Sequence, residues 1–128
     1  LEPVENFACP GMPVRIHFTD DGKRALVAGW VEEGTLTIID VESKKEVKRI
    51  AVGDFVIGVE LSPDGRYAYV GCEDALEPRI NADGSEWIKA TKEDSDGVHV
   101  VDMQTLEVIA KIQTGLGPDP MVFWFVPE

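Results

Sequence analysis

The sequence predicts an all-β protein built from a repeated four-stranded unit. Residues 11–23 return as residues 53–66, so that Gly22 of the first Asp-Gly turn corresponds to Gly65 of the second. The second halves of the two units, residues 34–53 and 97–115, also correspond, with Asp40 matched to Asp102. A repeat of this kind, with Val- and Ile-rich runs separated by turn residues, is typical of β-propeller blades.

Each unit contains four short runs rich in Val, Ile and Tyr, separated by Asp-Gly, Glu-Gly and charged turn signals. Such runs predict antiparallel strands, which we designate a to d in each blade. The expected strands are residues 14–19, 24–30, 35–40 and 46–52 in the first unit and 56–62, 67–73, 98–103 and 107–113 in the second. No stretch shows helical periodicity.

The repeat also predicts how the chain is divided. An N-terminal segment, residues 1–10, precedes a first blade at residues 11–52 and a second at residues 53–114. The second halves of the units lie further apart than the first halves, which places an insertion at about residues 74–96 of the second blade. Residues 115–128 correspond to the first strand of a third blade.

The start of a third blade predicts that the chain needs further blades. Met121, Phe123 and Phe125 match the apolar positions of the two earlier a strands, so we expect them to be buried. Propellers close with about four to eight blades, and each blade buries its faces against its neighbours. Three alternatives could complete the propeller: further blades of a longer chain, copies of this chain, or blades of another chain. A start at Leu1 rather than Met favours a fragment.

Three segments carry a resemblance to a known repeat. Residues 62–70 read Ser-Pro-Asp-Gly-Arg-Tyr-Ala-Tyr-Val, and they are followed by Gly-Val-His-Val-Val-Asp at 97–102 and Ile-Gln-Thr-Gly at 112–115. Together they resemble the YVTN family of β-propeller repeats, over about residues 11–127. The resemblance implies the fold but little about activity, because one fold hosts many chemistries. Members occur in archaeal and bacterial surface proteins, and related propellers belong to periplasmic redox enzymes, so an extracytoplasmic location is implied.

Composition excludes two classes of partner. The chain carries 24 acidic and 12 basic residues, for a net charge of −12. This charge repels phosphate backbones and anionic lipid surfaces, so we expect no nucleic acid partner. No apolar run approaches the roughly 18 residues of a membrane-spanning helix, so we expect no membrane insertion.

The order of strands predicts one face of the molecule for binding. In a four-stranded meander, the d-to-a and b-to-c connections share one face, which we call the loop face, and the a-to-b and c-to-d turns share the opposite turn face. The insertion belongs to the loop face, and loops on a rigid scaffold carry function. The expected contact residues on the loop face are Met12, Trp30, Asp54, Phe55 and Trp87. The Asp-Gly segments of the turn face have the chemistry of tight hairpins.

The insertion offers candidate calcium ligands. Asp83, Glu86, Asp94 and Asp96 alternate with small residues and glycine, and carboxylate oxygens are the ligands that Ca²⁺ prefers. Their spacing does not match an EF-hand loop, and a solvated acidic loop is the alternative interpretation. No other cofactor is expected in this chain.

Cys9 and Cys72 are the only cysteines, and the topology places both on the loop face. A disulfide between them requires an oxidising compartment and a narrow geometry, so two independent thiols are the alternative. His17 and His99 are expected to lie apart from the cysteines and to have structural roles, which leaves no set of soft-metal ligands.

The sequence carries no catalytic motif. It lacks a nucleophile elbow, a phosphate-binding loop and a haem attachment motif. Three functions stay open: a non-enzymatic interaction or structural scaffold, a portion of a periplasmic-type redox enzyme or electron-transfer subunit, and a portion of a metal-dependent, lactonase-like hydrolase. The positions expected to line the central funnel are apolar, which argues against both catalytic functions: Pro13, Val14, Phe55, Val56, Pro120 and Met121.

Overall fold

The computed structural model describes residues 2, 3, 6, 11–31, 33–73, 79–88, 97–115, 118 and 121–123. These residues form strands and connections without a helix. The strands are β1 (Pro13–Phe18), β2 (Arg24–Gly29), β3 (Thr35–Asp40), β4 (Lys45–Ala51), β5 (Val56–Leu61), β6 (Tyr67–Cys72), β7 (Arg79–Ile80), β8 (Glu86–Ile88), β9 (Gly97–Asp102) and β10 (Glu107–Ile112).

Two four-stranded antiparallel sheets form the body of the molecule. The first has the order β1-β2-β3-β4, and the second has the order β5-β6-β9-β10. We call them blade 1 and blade 2. The strands that the repeat predicts agree closely with these, with ends that differ by a single position at most. The sequence is therefore an incomplete β-propeller of two blades.

The insertion contains a small hairpin that the repeat pattern did not predict. Strands β7 and β8 pair with each other in a separate two-stranded sheet. The turn between them is closed by Asn81, whose carbonyl accepts from the Gly84 amide at 2.9 Å and whose amide donates to the Ser85 carbonyl at 2.7 Å. Gly84 has φ of 84°, a conformation that glycine adopts without strain. This part of the insertion thus has regular structure of its own.

The main core lies between the two blades. Side chains alternate across each strand, so one face of blade 1 and one face of blade 2 meet. Blade 1 contributes the aliphatic residues Leu26, Ala28, Leu36, Ile38 and Ile50. Blade 2 contributes Val56, Val59, Leu61, Ala68, Val70, Cys72, Val101 and Met103. The two blades share one hydrophobic core.

The a-to-b turns of both blades are built by the same hydrogen bonds. Thr19 Oγ1 lies 2.7 Å from Asp21 Oδ1, and it accepts the first amide of β2 at 3.0 Å. Ser62 Oγ lies 2.6 Å from Asp64 Oδ1, and it accepts the first amide of β6 at 3.0 Å. Since these hydroxyl groups donate to the ionised carboxylates, they lower the pKa of Asp21 and of Asp64. The Asp-Gly chemistry in these turns is structural.

The C-terminal segment packs on the face of blade 2 that points away from blade 1. The Phe123 ring meets the Tyr69 ring edge to face, with centroids 5.2 Å apart. The Met121 side chain approaches Gly58 and Gly71, where an added Cβ would lie 3.5 Å from its methyl carbon. The intervening Val122 is exposed. Met121 and Phe123 thus point toward blade 2, but both are half-buried rather than buried and residues 121–123 form no strand, whereas Phe125 lies outside the described residues.

No helix long and apolar enough to cross a membrane occurs in the part of the chain that the structure describes.

Candidate functional site

The connections of the loop face converge on an aromatic pair. Trp30 follows β2 and Phe55 precedes β5, and their ring centroids are 4.9 Å apart with an interplanar angle of 53°. The indole nitrogen of Trp30 donates to Glu73 Oε2 at 3.1 Å. Trp30 therefore joins the b-to-c loop of blade 1 to the d-to-a loop and to the start of the insertion. An aromatic side chain with a fixed ring and a hydrogen-bonded nitrogen is a preorganised contact.

The backbone around Phe55 holds this pair in place. The Phe55 amide donates to the Val31 carbonyl at 2.9 Å, and the Phe55 carbonyl accepts from the Glu73 amide at 3.2 Å. Phe55 has φ of 47° and Glu33 has φ of 54°, which are uncommon values for residues with side chains. Asp54 Oδ1 accepts from the Glu33 amide at 2.6 Å and links the two positions. Residues with side chains keep a positive φ only where surrounding contacts stabilise it, as these hydrogen bonds do for Phe55 and Glu33.

A pocket of about 330 Å³ lies beside the aromatic pair, between the two blades. Its wall has both apolar and charged parts, from Met12, Val14, Arg15, Trp30, Ile57 and Glu73. The wall is suited to an apolar group with a polar end, because Arg15 and Glu73 place opposite charges at one concave surface. Three residues of this wall, Arg15, Ile57 and Glu73, are not among the contact residues predicted from the sequence. Glu73 occupies the repeat position of Trp30 in the second blade, so the repeat itself was the signal that pointed to it.

The expected contact residues fall into three groups. Met12 is exposed and Trp30 is half-buried at the pocket, whereas Asp54 is half-buried outside the pocket lining and accepts from the Glu33 amide. Phe55 is buried against the Trp30 ring, so it offers no surface to a partner. Phe55 and Val56 were also expected to line the funnel, and that expectation is wrong because both are covered by blade 1. Trp87 lies in β8 of the insertion hairpin.

The calcium candidates are divided between the hairpin and the rest of the insertion. Asp83 Oδ1 accepts from the Ser85 hydroxyl at 2.6 Å and from the Ser85 amide at 2.9 Å, and these bonds lower the pKa of Asp83. Glu86 begins β8, whereas Asp94 and Asp96 lie outside the described residues. Over the described ranges, no three His, Cys, Asp or Glu side chains are grouped to hold a metal ion. Calcium binding stays a prediction.

Cys72 and His99 lie close together, which corrects the expectation that His99 is remote from the cysteines. A Cβ added to Gly53 would lie 2.9 Å from Cys72 Sγ and 3.2 Å from His99 Nε2. The strand register explains this, because His99 pairs with Val70 on the same face of blade 2 as Cys72. Both side chains are buried against the d-to-a loop. Cys9 lies outside the described residues, so the disulfide with Cys72 stays a prediction.

His17 joins the two blades on β1 and β5, the strands that face each other across the interface. His17 Nδ1 lies 3.5 Å from Glu60 Oε2, and both side chains are mostly covered. The two residues occupy the same position of successive repeats. The contact fits the structural role that the sequence predicts for His17.

The turn face carries a larger cleft of about 550 Å³, also between the blades. Three of the carboxylates that line it, Asp21, Asp40 and Asp64, accept hydrogen bonds within their own turns, and these bonds lower the pKa of each. Arg24 Nη1 crosses the cleft and donates to the Met103 carbonyl at 3.3 Å. The charged groups of this cleft thus hold the turns and the two blades together.

Comparison with solved structures places the chain among β-propellers. It superposes on Kuenenia stuttgartiensis hydrazine synthase with a TM-score of 0.62 and 27% sequence identity, covering 82% of this chain and 25% of that one. It superposes on the β-propeller domain of Cps50 (Swd1) from Myceliophteria thermophila with a TM-score of 0.62 and 15% identity, covering 87% of this chain and 28% of that one. No protein-family model and no curated protein sequence matches.

The fold and the comparisons define a class of protein. The chain is a two-bladed portion of a β-propeller, with a pocketed loop face that holds an aromatic pair. It spans about a quarter of the length of the solved structures that it matches.

Proposed function

We propose that this chain is a non-enzymatic interaction module of a β-propeller, which binds a partner protein through its loop face. The observation that carries the proposal is the preorganised Trp30 at the rim of the interblade pocket, held by Phe55 and Glu73. Tryptophan at the edge of a well-packed pocket is characteristic of protein interaction sites. The insertion begins directly after Glu73, at the same end of the blade as Trp30.

We also propose that the repeats belong to the YVTN family. The module would then act outside the cytoplasm, as that resemblance implies. The observation in support is that the Ser-Pro-Asp-Gly segment forms the a-to-b turn, with Ser62 and Asp64 bonded to each other. The acidic composition supports a protein partner with a basic surface, because opposite charges steer association.

The test is a comparison of three proteins: the parent, a variant in which residues 74–96 are replaced by a turn like residues 31–33, and Trp30→Ala. Chains that co-purify with the parent are identified by mass, and their affinity for each variant is measured. We expect a loss of at least about tenfold in both variants, since interface tryptophans commonly contribute about 2 kcal/mol or more. Lys23→Glu on the turn face is the matched control and should bind as the parent does. Full affinity in both loop-face variants, with folding intact, would contradict the proposal.

A second candidate function is a portion of a redox enzyme complex. The observation that favours it is the 27% identity to hydrazine synthase over 82% of this chain. In this function the chain would supply a docking surface or a structural part of the enzyme complex. The redox cofactor would be bound by residues outside this chain. The visible absorption spectrum of the co-purified assembly tests it, because haem and flavin groups absorb in the visible range and a scaffold alone does not. The lactonase-like hydrolase stays a prediction that no observation favours.

A further inference from the structure

The interblade pocket of the loop face has one basic and one acidic side chain in its wall. Arg15 comes from β1 of blade 1, and Glu73 directly follows β6 of blade 2, so each blade contributes one charge. The register of β1 places Arg15 opposite Ala28, which belongs to the core between the blades. Residues opposite each other in an antiparallel pair point to the same side of the sheet. Arg15 therefore lies on the side of β1 that faces blade 2.

The rest of the pocket wall is apolar or aromatic. Ile57 is buried, Val14 is half-buried against the main core, and Met12 is exposed at the pocket. The Trp30 ring is fixed by its contact with Phe55 and by the hydrogen bond of its indole nitrogen. The volume of about 330 Å³ is at the lower end of the range for ligand pockets. This wall suits a small molecule with one apolar group.

Both charged side chains have the hydrogen-bonding capacity to hold a ligand. Glu73 Oε2 accepts from the Trp30 indole nitrogen at 3.1 Å, and a carboxylate has a second oxygen that can accept from an ammonium group. Arg15 Nη1 donates to the Val14 carbonyl at 3.3 Å. A guanidinium group carries several N–H donors in a planar fork, and this fork matches the two oxygens of a carboxylate. The pocket can therefore pair with one cation and one anion of the same ligand.

The repeat shows that the blade fold does not require either charge. The repeat equivalent of Arg15 in blade 2 is Gly58, and the repeat equivalent of Glu73 in blade 1 is Trp30. Gly58 lies within a strand, and Trp30 follows one, just as their charged equivalents do. A neutral residue thus serves the same place of the blade in the other repeat. The two charges meet only at the interface between blade 1 and blade 2, where the pocket is.

We infer that the interblade pocket binds a free α-amino acid with an apolar side chain. An α-amino acid is a zwitterion at neutral pH, with a carboxylate and an ammonium group on one carbon atom. Arg15 pairs with the carboxylate, Glu73 accepts from the ammonium group, and the apolar side chain packs on Trp30 and Ile57. This inference goes beyond the proposed function, because the ligand is a small molecule. It holds whether or not the loop face binds a partner protein.

The test measures how the full chain binds four small molecules by isothermal titration calorimetry. L-Leucine is the probe, and we expect saturable binding with a dissociation constant below about 1 mM. L-Leucinamide lacks the carboxylate, and N-acetyl-L-leucine lacks the ammonium group. Each should bind at least about tenfold more weakly, because one charged group of the pocket is left without its ligand partner. L-Serine keeps both charges but lacks the apolar side chain, and it should also bind at least about tenfold more weakly.

Two variants assign the charges of the ligand to their partners. Arg15→Met should weaken the binding of L-leucine by at least about tenfold and should bind L-leucine and L-leucinamide equally, within about twofold. Glu73→Gln keeps an amide oxygen that can accept from Trp30, and it should bind L-leucine and N-acetyl-L-leucine equally. This loss of discrimination is specific to a direct contact, because a variant that only disturbs the pocket would weaken the binding of all the ligands alike.

Matched controls remove the same charges elsewhere. Lys23→Met removes an exposed cation of the turn face, and Glu107→Gln removes an exposed carboxylate of β10. Both should bind L-leucine as the parent does, so that a general effect of net charge is excluded. Circular dichroism reports whether each variant is folded. If Arg15→Met or Glu73→Gln does not fold, the comparison of the four small molecules on the parent chain decides the inference.

Three outcomes would overturn the inference. The first is the absence of saturable binding of L-leucine up to about 10 mM. The second is equal affinity of the parent for L-leucine and L-leucinamide, which would show that the pocket takes an amino terminus, such as that of a peptide, and does not hold the carboxylate. The third is that folded Arg15→Met still prefers L-leucine to L-leucinamide as strongly as the parent does.

Discussion

Ser62 shows how one residue fixes a turn of the repeat. Its hydroxyl donates to Asp64 and accepts the first amide of β6, and the side chain is buried. Thr19 makes the same two contacts with Asp21 and the first amide of β2. A hydroxyl, a carboxylate two positions later and a glycine are thus enough to close the a-to-b hairpin in both blades.

Ser62→Ala should therefore destabilise the protein more than the removal of an exposed hydroxyl. It leaves a part-buried amide of Tyr67 without its acceptor, so we expect a loss of about 1–2 kcal/mol in the free energy of unfolding. Ser43→Ala, in an exposed turn, is the control and should cost less than about 0.5 kcal/mol. Urea unfolding measures the free energy of unfolding of both variants. Equal losses would show that a water molecule accepts from the Tyr67 amide in place of the Ser62 hydroxyl.

The same turns predict a dependence of stability on acid. The Ser62 and Thr19 hydroxyls lower the pKa of Asp64 and Asp21 below the usual value of 3.8. A carboxylate whose folded pKa is lowered contributes stability above its unfolded pKa and loses that contribution as the pH falls through the folded value. The free energy of unfolding should fall below a pH of about 3.8, and Asp64→Asn should reduce the slope.

Ser62→Ala provides the internal check on this acid dependence. It removes the main cause of the lowered pKa of Asp64, so it should also reduce the slope. The double variant Ser62→Ala/Asp64→Asn should reduce the slope of the free energy of unfolding against pH no further than Asp64→Asn alone. An acid slope that Asp64→Asn leaves unchanged would contradict the prediction.

At the level of elements, the C-terminal segment is held against blade 2 by alternate side chains. Met121 and Phe123 contact blade 2, and the residue between them faces water. The backbone of this segment approaches blade 2 closely at Gly71, where an added Cβ would lie 2.7 Å from the Pro118 carbonyl oxygen. Blade 2 therefore contacts this segment through Gly58, Tyr69 and Gly71.

Phe123→Ala tests whether this segment is docked in solution. The Phe123 ring is half-buried against Tyr69, so we expect a loss of about 1–3 kcal/mol, less than for a fully buried Phe. Val122→Ala is the matched control, because Val122 is 80% exposed, and it should change stability by less than about 0.5 kcal/mol. Denaturant unfolding gives both values, and a loss below about 0.5 kcal/mol for Phe123→Ala would show a loose tail.

At the level of the whole molecule, the two blades share one core and should unfold together. Leu36 is fully buried in the cluster that contains residues of both blades. Leu36→Ala should cost about 2–5 kcal/mol and lower the hydrogen-exchange protection of β9 in blade 2 as well as that of β3. Loss of protection in blade 1 alone would show that the blades are independent units.

Assembly is the second prediction at this scale. Two blades leave apolar surface in water on the face of blade 1 that points away from blade 2, at Ile16 and Phe18. We expect the isolated chain to be weakly stable or to associate at high concentration, and to be monomeric and more stable when another blade covers that face. Sedimentation equilibrium measures the mass, and a stable, dilute monomer with cooperative unfolding would contradict the prediction.

The sequence by itself determined the local structure and the repeat. Strand positions agree closely with the prediction because Val-rich runs and Asp-Gly turns act over a few neighbouring residues. The unequal spacing of the two halves of the repeat also located the insertion. The loop face followed from strand order alone, and Met12, Trp30 and Asp54 lie on it.

Only the tertiary structure decided which residues of that face are buried and which lie at the pocket. Phe55 and Trp30 are both aromatic residues in connections next to a strand. The packing of blade 2 on blade 1 buries Phe55 and leaves Trp30 half-buried at a pocket. His99 and Cys72 are separated by the whole insertion and meet because β6 pairs with β9. Burial and long-range register depend on how sheets pack, and the residues of one strand do not specify the neighbour that covers them.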